Sequence, residues 1–166
     1  MATTIQNFFS RAAEKQFARD FLFRVKQINV EGVSFDGDSD LVYARSAQLP
    51  GRNIENKTVN YYGQTFNVPG KSTYPGSEAY SIEFFHDESN ELRTKFEATG
   101  QYGLPGDGDL ITLDVIDKDL NVIQTIQLVG ASIRDINAID YSIADGTGEI
   151  LNTTVTFSYH FYRDFS

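Results

Sequence analysis

Residues Asn152–Phe161 read NTTVTFSYHF, and this stretch decides the fold class. Side chains of an extended strand alternate between two faces. Val155, Phe157, Tyr159 and Phe161 therefore share one side, and Thr154, Thr156, Ser158 and His160 the other. The pattern has period two and is rich in β-branched and aromatic residues, which suit a half-buried pleated surface. One face seeks a hydrophobic core. The other carries small hydroxyls and one imidazole, and so meets water, the polar side of another sheet or another subunit. The stretch is long enough to be central to a sheet, with other strands registered against it.

The rest of the chain supplies those strands. Thr4 is a fair N-cap, and Ile5, Phe8, Phe9 and Ala12 follow at helical spacing, which predicts a short amphipathic helix over Ile5–Glu14. Phe17-Ala18-Arg19 ends it, and Phe21–Val30 reads as the first strand. Phe35–Asp40 (FDGDSD) is turn chemistry, and Leu41–Gln48 a second strand stopped by Leu49-Pro50-Gly51. Ser77–Phe85 is a strand with Tyr80, Ile82 and Phe84 on the core side. Asp87 caps a helix to about Ala98, with acids in its first turn, Leu92 and Phe96 four apart, and Gly100 as the stop. Gln101–Gly108 is a glycine-rich loop. Leu110–Ile116 and Val122–Val129 form a hairpin across Asp117–Asn121. Ser132–Ile143 is ambiguous: Ile133 and Ile136 have helical spacing, whereas Ile139, Tyr141 and Ile143 alternate. Asp145-Gly146-Thr147-Gly148 turns the chain into the last strand. Seven or eight strands and two short helices predict a mainly β domain, two packed antiparallel sheets or a partly closed barrel.

Residues 52–70 break this pattern. Thr58–Tyr62 and Gln64–Val68 are two short strands around Gly63, whose turn needs positive φ. The segment is poor in Leu and Ile and rich in Asn, Tyr and Thr, so it would bury little by folding on itself. A projecting hairpin exposes unpaired strand edges unless something covers them. An ordinary surface hairpin is one reading. The favoured one is a subunit-contact arm, because tyrosine is enriched at interfaces and Tyr61, Tyr62 and Tyr74 lie here.

Length and composition bound the function. A chain of 166 residues fits one domain, 1–166, able to bury a core without staples. There is no cysteine, which excludes a disulfide framework, a thiol nucleophile or a thiolate metal site. The net charge of −9 argues against binding nucleic acid or an anionic membrane by counterion release, though not against a surface that nucleic acid slides past. The opening MATTIQNFFSRAAEKQ lacks the basic start and apolar run of a signal peptide, and no run reaches transmembrane length. A soluble protein made in a cytoplasm is the expectation. Residues 101–166 hold three Lys/Arg against ten Asp/Glu, whereas from Leu41 to Ser72 Arg45, Arg52, Lys57 and Lys71 face only Glu55. Scatter over a solvated surface accounts for this; so does a basic arm meeting an acidic end of the next copy.

Motifs of catalysis fail on their context. Gly70–Thr73 (GKST) has Thr65 where a phosphate-binding loop needs glycine, and Tyr-Pro-Gly follows instead of a helix. Asp117, Asp119 and Asn121 start like a calcium loop, but Val122 and Leu128 occupy the positions of its glycine and its last acid. His86 and His160 cannot by themselves make a common zinc site and read as structural. No nucleophile elbow or acid pair stands out. Neither an enzyme nor a cofactor is expected.

Several pieces taken in order resemble the tail tube protein of contractile-tailed phages. They are Phe17-Ala18-Arg19 with Leu22-Phe23 and Val25; Ala47-Gln48-Leu49-Pro50-Gly51; Asn67-Val68-Pro69-Gly70; Tyr80–Phe85 with the Asp87–Phe96 helix; and Gly148-Glu149-Ile150 leading into Val155-Thr156-Phe157 and Tyr159. The resemblance runs from residue 8 to residue 162, and only Gln101–Asp109 matches nothing. It implies a β-sandwich with a flanking helix, assembled as hexameric rings that stack helically into a hollow tube, with inner strands closing into one barrel. It also implies a virion protein without enzymatic activity. Its partners would be other copies, the tail sheath protein, and baseplate and tail terminator proteins, and DNA would pass through an acidic lumen unbound. Inter-subunit contacts are expected from Arg45, Arg52, Lys57, Asn60, Tyr61, Tyr62, Gly63 and Tyr74. A baseplate or tube-initiator protein, or a secretion-system tube, is the neighbouring alternative. A monomeric carbohydrate-binding β-sandwich is the distant one.

Overall fold

The structure is a computed structural model, and it describes residues 4–16, 18–36, 44–99, 103–144 and 146–165. The strand at Asn152–Ser158 (β10) is central, as its alternation requires. It pairs antiparallel with β6 (Tyr80–Phe85) on one side and β9 (Ser132–Ile136) on the other, and β3 (Ala44–Ser46) extends that sheet beyond β6. A second antiparallel sheet has the order β11 (Phe161–Phe165), β8 (Val122–Val129), β7 (Leu110–Ile116), β1 (Phe23–Val30), β2 (Val33–Asp36). Their facing residues form one core cluster, to which Ile28, Ile111 and Leu128 contribute from one sheet and Ile82, Phe84, Val155 and Phe157 from the other. The fold is thus a β-sandwich, with no closed barrel among the described residues.

A short helix, α2 (Glu91–Glu97), covers one flank. Its buried residues are Leu92 and Phe96, one turn apart. The Phe96 ring stacks on Phe35 at 4.3 Å and meets Phe84 at 5.3 Å, so one side chain ties both sheets to the helix. Asp87 does not cap the helix. It accepts from the Glu91 amide at 3.1 Å and from the Ser89 hydroxyl, and so orders the turn before the helix, which starts four residues later. The N-terminal helix α1 spans Thr4–Lys15, with Ile5, Phe8 and Phe9 exposed.

Other expectations need correction. Asn152–Phe161 is not one strand: Val155, Phe157 and Tyr159 are buried as expected, but the chain leaves the sheet at Tyr159–His160, and Phe161 opens β11 in the opposite one. Period two survives such a crossing, so the pattern alone cannot reveal it. Phe35 and Asp36, the start of the expected turn Phe35–Asp40, instead end a strand, Val33–Asp36, because Glu31 (φ 57°) and Gly32 (φ 79°) make a two-residue turn that folds it straight back onto β1. Of the strand expected at Leu41–Gln48, only Ala44–Ser46 is seen; residues 37–43 lie outside the described residues, as do Phe17, Gly100 and 101–102. Ser132–Ile143 resolves into β9 followed by irregular chain. Among the described residues there are eleven strands, against the seven or eight expected. Leu110–Ile116 and Val122–Val129 form their hairpin with the expected bounds.

Candidate assembly surface: a projecting two-faced arm

Asn53–Tyr61 (β4) and Gln64–Thr73 (β5) form a third sheet whose strands, among the described residues, pair only with one another. The hairpin is longer than the sequence pattern indicated and reaches about 30 Å at strand rise. Tyr62 (φ 48°) and Gly63 (φ 75°) make its two-residue turn, the geometry whose twist matches two antiparallel strands. No residue of the arm belongs to the core cluster, and nearly every one is exposed.

The register sorts the arm into two faces. Lys57 opposite Val68, Val59 opposite Phe66, and Tyr61 opposite Gln64 share one. Val59, Tyr61, Phe66 and Val68 are all 45–65 % exposed, a contiguous apolar stripe in water. The other face is polar. Asn60 accepts from the Thr65 hydroxyl at 2.8 Å, and the Asn56 amide donates to Asn67 at 3.1 Å, with Thr58 between them. Two-stranded hairpins are marginal alone in water, and here half the ribbon is an uncovered apolar surface. The signal was legible as V-x-Y in one strand and F-x-V in the other, but composition overshadowed it.

The expected contact residues separate in space. Asn60, Tyr61, Tyr62 and Gly63 are at the arm's end, where the Tyr61 and Tyr62 rings meet edge-on at 4.5 Å. Tyr74 lies at the base, half-buried, its ring edge-on to Tyr162 at 5.4 Å. Lys57 pairs with Glu55 at 3.4 Å, and Lys71 reaches the same carboxylate at 3.9 Å. Arg45 is on β3 of the sandwich, bound to Glu83 at 3.1 Å with its guanidinium 5.7 Å over the Phe85 ring. Arg52, exposed at the foot of the arm, makes no ion pair among the described residues.

The remaining sequence motifs are structural. Gly70–Thr73 lies within β5. The Asp117 carboxylate accepts amides from Asn121 at 2.8 Å and Asp119 at 2.9 Å, which hold it below the usual carboxylate range and close the β7–β8 turn. His86 bridges the Thr153 hydroxyl and the Tyr141 phenol, each at 3.1 Å. The outward side of the four-stranded sheet carries hydroxyl pairs, Ser81 with Thr156 at 3.1 Å and Ser132 with Ser158 at 2.9 Å, as the alternation of β10 foretold. Among the described residues no group of three or more His, Asp or Glu could hold a metal ion, and no helix is long and apolar enough to cross a membrane.

No protein-family model matches the chain, and no curated protein matches it in sequence. Solved structures do. A chain of the cryo-EM structure of the anti-feeding prophage baseplate superposes with a TM-score of 0.65 at 13 % identity, over 91 % of this chain and 97 % of that one. A chain of the tube-terminating cap of the same prophage gives 0.62 at 11 %, over 92 % and 93 %. A chain of the sheath–tube complex of an extracellular contractile injection system gives 0.54 at 12 %, over 100 % and 99 %. At such identities the likeness is one of fold.

Proposed function

We propose that this chain is a structural component of a contractile tail, polymerising as stacked hexameric rings into the inner tube through which DNA leaves a phage particle. The observation that carries this reading is the arm: a ribbon about 30 Å long, outside its own core, with one apolar face and nothing among the described residues to cover it. A second copy supplies the missing partner most economically, since ring and helical assemblies of one chain reuse a single contact many times. The fold-level likeness to chains of contractile injection particles supports the same conclusion. An acidic chain suits a conduit, because a negative wall repels phosphate and does not retain DNA.

A specific observation favours a second reading: the baseplate and cap chains superpose better than the sheath–tube chain, at 0.65 and 0.62 against 0.54. A ring that starts or ends the tube would use the arm once and stop. Negative-stain microscopy with light scattering on the purified protein separates the possibilities. Open-ended tubes support the tube, single closed rings support the initiator or terminator, and a monomer at every concentration overturns both.

A further inference from the structure

Between β9 and β10 the chain runs irregularly through residues 137–151. The alternation of Ile139, Tyr141 and Ile143 finds no sheet there among the described residues. His86 pins this excursion at two points: its amide donates to the Leu151 carbonyl at 2.9 Å, and its Nε2 is hydrogen-bonded to the Tyr141 phenol at 3.1 Å. Tyr141 and Ile139 also wall a small cavity beside α2. The residues next to the two pins are thereby brought to one place, and they are apolar and acidic. Tyr141 and Ile150 are exposed, and Ile143 fully so; Asp140 and Glu149 are exposed beside them. From Asp135 to Tyr162 the sequence holds four acids and no Lys or Arg. Such a surface is complemented by one that is apolar and basic.

The arm has both properties. Its exposed stripe is Val59, Tyr61, Phe66 and Val68, and the same hairpin carries Arg52, Lys57 and Lys71 against Glu55 alone. Resting on the polymer reading above, we infer that the 137–151 excursion of one copy receives the apolar face of the arm of a second copy, with the arm's basic residues facing Asp140 and Glu149. Both surfaces stay exposed in the single chain, so the contact is not made within it. A contact between two different surfaces of one chain is heterologous, and repeats into rings or helices. Two other exposed apolar surfaces fit the arm less well. Helix α1 presents Ile5, Phe8 and Phe9, but has Arg11 and Lys15 against the single acid Glu14. At the β7–β8 turn Leu120 and Ile123 are exposed, but Lys118 is there too, and the Asp117 carboxylate is spent on the turn itself.

The chain has no cysteine, so single cysteines report the contact directly. Val68→Cys and Ile143→Cys are made in separate preparations, mixed, assembled, and treated with a short bis-maleimide. A covalent dimer is expected in the mixture and in neither preparation alone, and not when Ser81→Cys replaces Ile143→Cys. Ile143→Ser, at a fully exposed position, should leave the melting temperature unchanged and raise the critical concentration for assembly about tenfold. Asp140→Lys combined with Glu149→Lys should raise it several-fold at about 0.1 M salt and much less at about 1 M. If assemblies form normally but Val68→Cys crosslinks to Phe9→Cys or Ile123→Cys and not to Ile143→Cys, or to none of them, the inference is wrong while the polymer reading stands. A wild-type protein that never assembles removes the polymer reading, and this inference with it.

Discussion

The imidazole of His160 lies against the α-carbon of Gly130, so close that a Cβ there would overlap the ring. The two residues mark adjacent crossings between the sheets. Gly130-Ala131 carries the chain from β8 to β9, and Tyr159-His160 carries it from β10 to β11. The His160 amide donates to the Val129 carbonyl at 2.9 Å, and the amides of Gly130 and Ala131 both donate to Asp109. Both crossings are thereby fastened at one corner. Gly130 also has φ 73°, where a side chain is strained whatever the space.

Gly130→Ala should therefore destabilise the domain by about 2 kcal/mol, the left-handed backbone alone costing about 1–2. The overlap with His160 adds to this only if the ring cannot turn away. A double-mutant cycle with His160→Ala, read by urea unfolding, isolates that part as a coupling of about 0.5 kcal/mol or more. Additive effects would show that the ring simply swings out.

Asp114 is a second such point in the core of the larger sheet. Its carboxylate is buried, with one oxygen bound to Arg24 Nε at 2.9 Å and the other accepting from the Thr125 hydroxyl at 2.9 Å. Asp114→Ala removes the acceptor of the half-buried Thr125 hydroxyl and should cost about 1–2 kcal/mol; Arg24 is half-exposed, and water can replace its lost partner. Arg24→Ala, which leaves the carboxylate inside without its cation, should cost at least as much. Thermal unfolding of both variants checks the order.

The residues that read most clearly were those whose pattern and burial coincide. Alternation placed Tyr80, Ile82, Phe84, Val155 and Phe157 on the core, and Leu92 and Phe96 four apart found the buried side of α2. Where a strand crosses between sheets, as at Tyr159–His160, alternation continues unbroken and the crossing is invisible. Where a two-residue turn lacks the usual Asn-Gly or Asp-Gly, as at Glu31-Gly32, the hairpin is hidden too. The cavity beside α2 joins residues 86, 90 and 93 to 139 and 141 across a long stretch of sequence, and no spacing rule could assemble it.

Burial pushes the phenols of Tyr80 and Tyr159 above their usual range. The Tyr80 hydroxyl donates to the Gln48 carbonyl, and neighbouring tyrosines add to the shift at both phenols. A phenol whose folded pKa exceeds its unfolded one contributes stability that is complete below about pH 10 and is lost as pH rises further. Stability should therefore fall above about pH 10, with Tyr80 accounting for up to about 1.4 kcal/mol per pH unit. Tyr80→Phe should cost about 1 kcal/mol near neutrality and flatten that alkaline decline. A decline of unchanged steepness in the variant would assign it to other groups.

Salt dependence of assembly should centre on Arg52. Arg45, Lys57 and Lys71 already have carboxylates within their own chain, so they have less to offer a neighbour. Raising ionic strength from about 0.1 M to about 1 M shortens the screening length from about 10 Å to about 3 Å and should weaken assembly. Arg52→Gln should lower assembly at low salt and remove most of the difference between the two conditions. Sedimentation across a salt series gives the answer, and an equal salt response in both proteins would shift attention to other charges.

The two faces of the arm make the sharpest claim, because they allow one hairpin to be altered in opposite ways. Phe66→Ser and Val68→Ser remove half-exposed apolar side chains that lie outside the core cluster, so the melting temperature of the isolated domain should change little, as for exposed sites generally. Assembly should suffer. Each loses burial worth about 1.5–3 kcal/mol in a covered contact, a rise in critical concentration of tenfold or more. Asn67→Ser, next to both in sequence but on the polar face, should change assembly little if that side faces water. Deleting residues 58–68 should leave a folded sandwich that forms no tubes, since no arm residue enters the core. If Asn67→Ser proves as damaging as Phe66→Ser, the covering surface grips both sides of the ribbon. If the deletion still yields tubes, the arm has no part in building them.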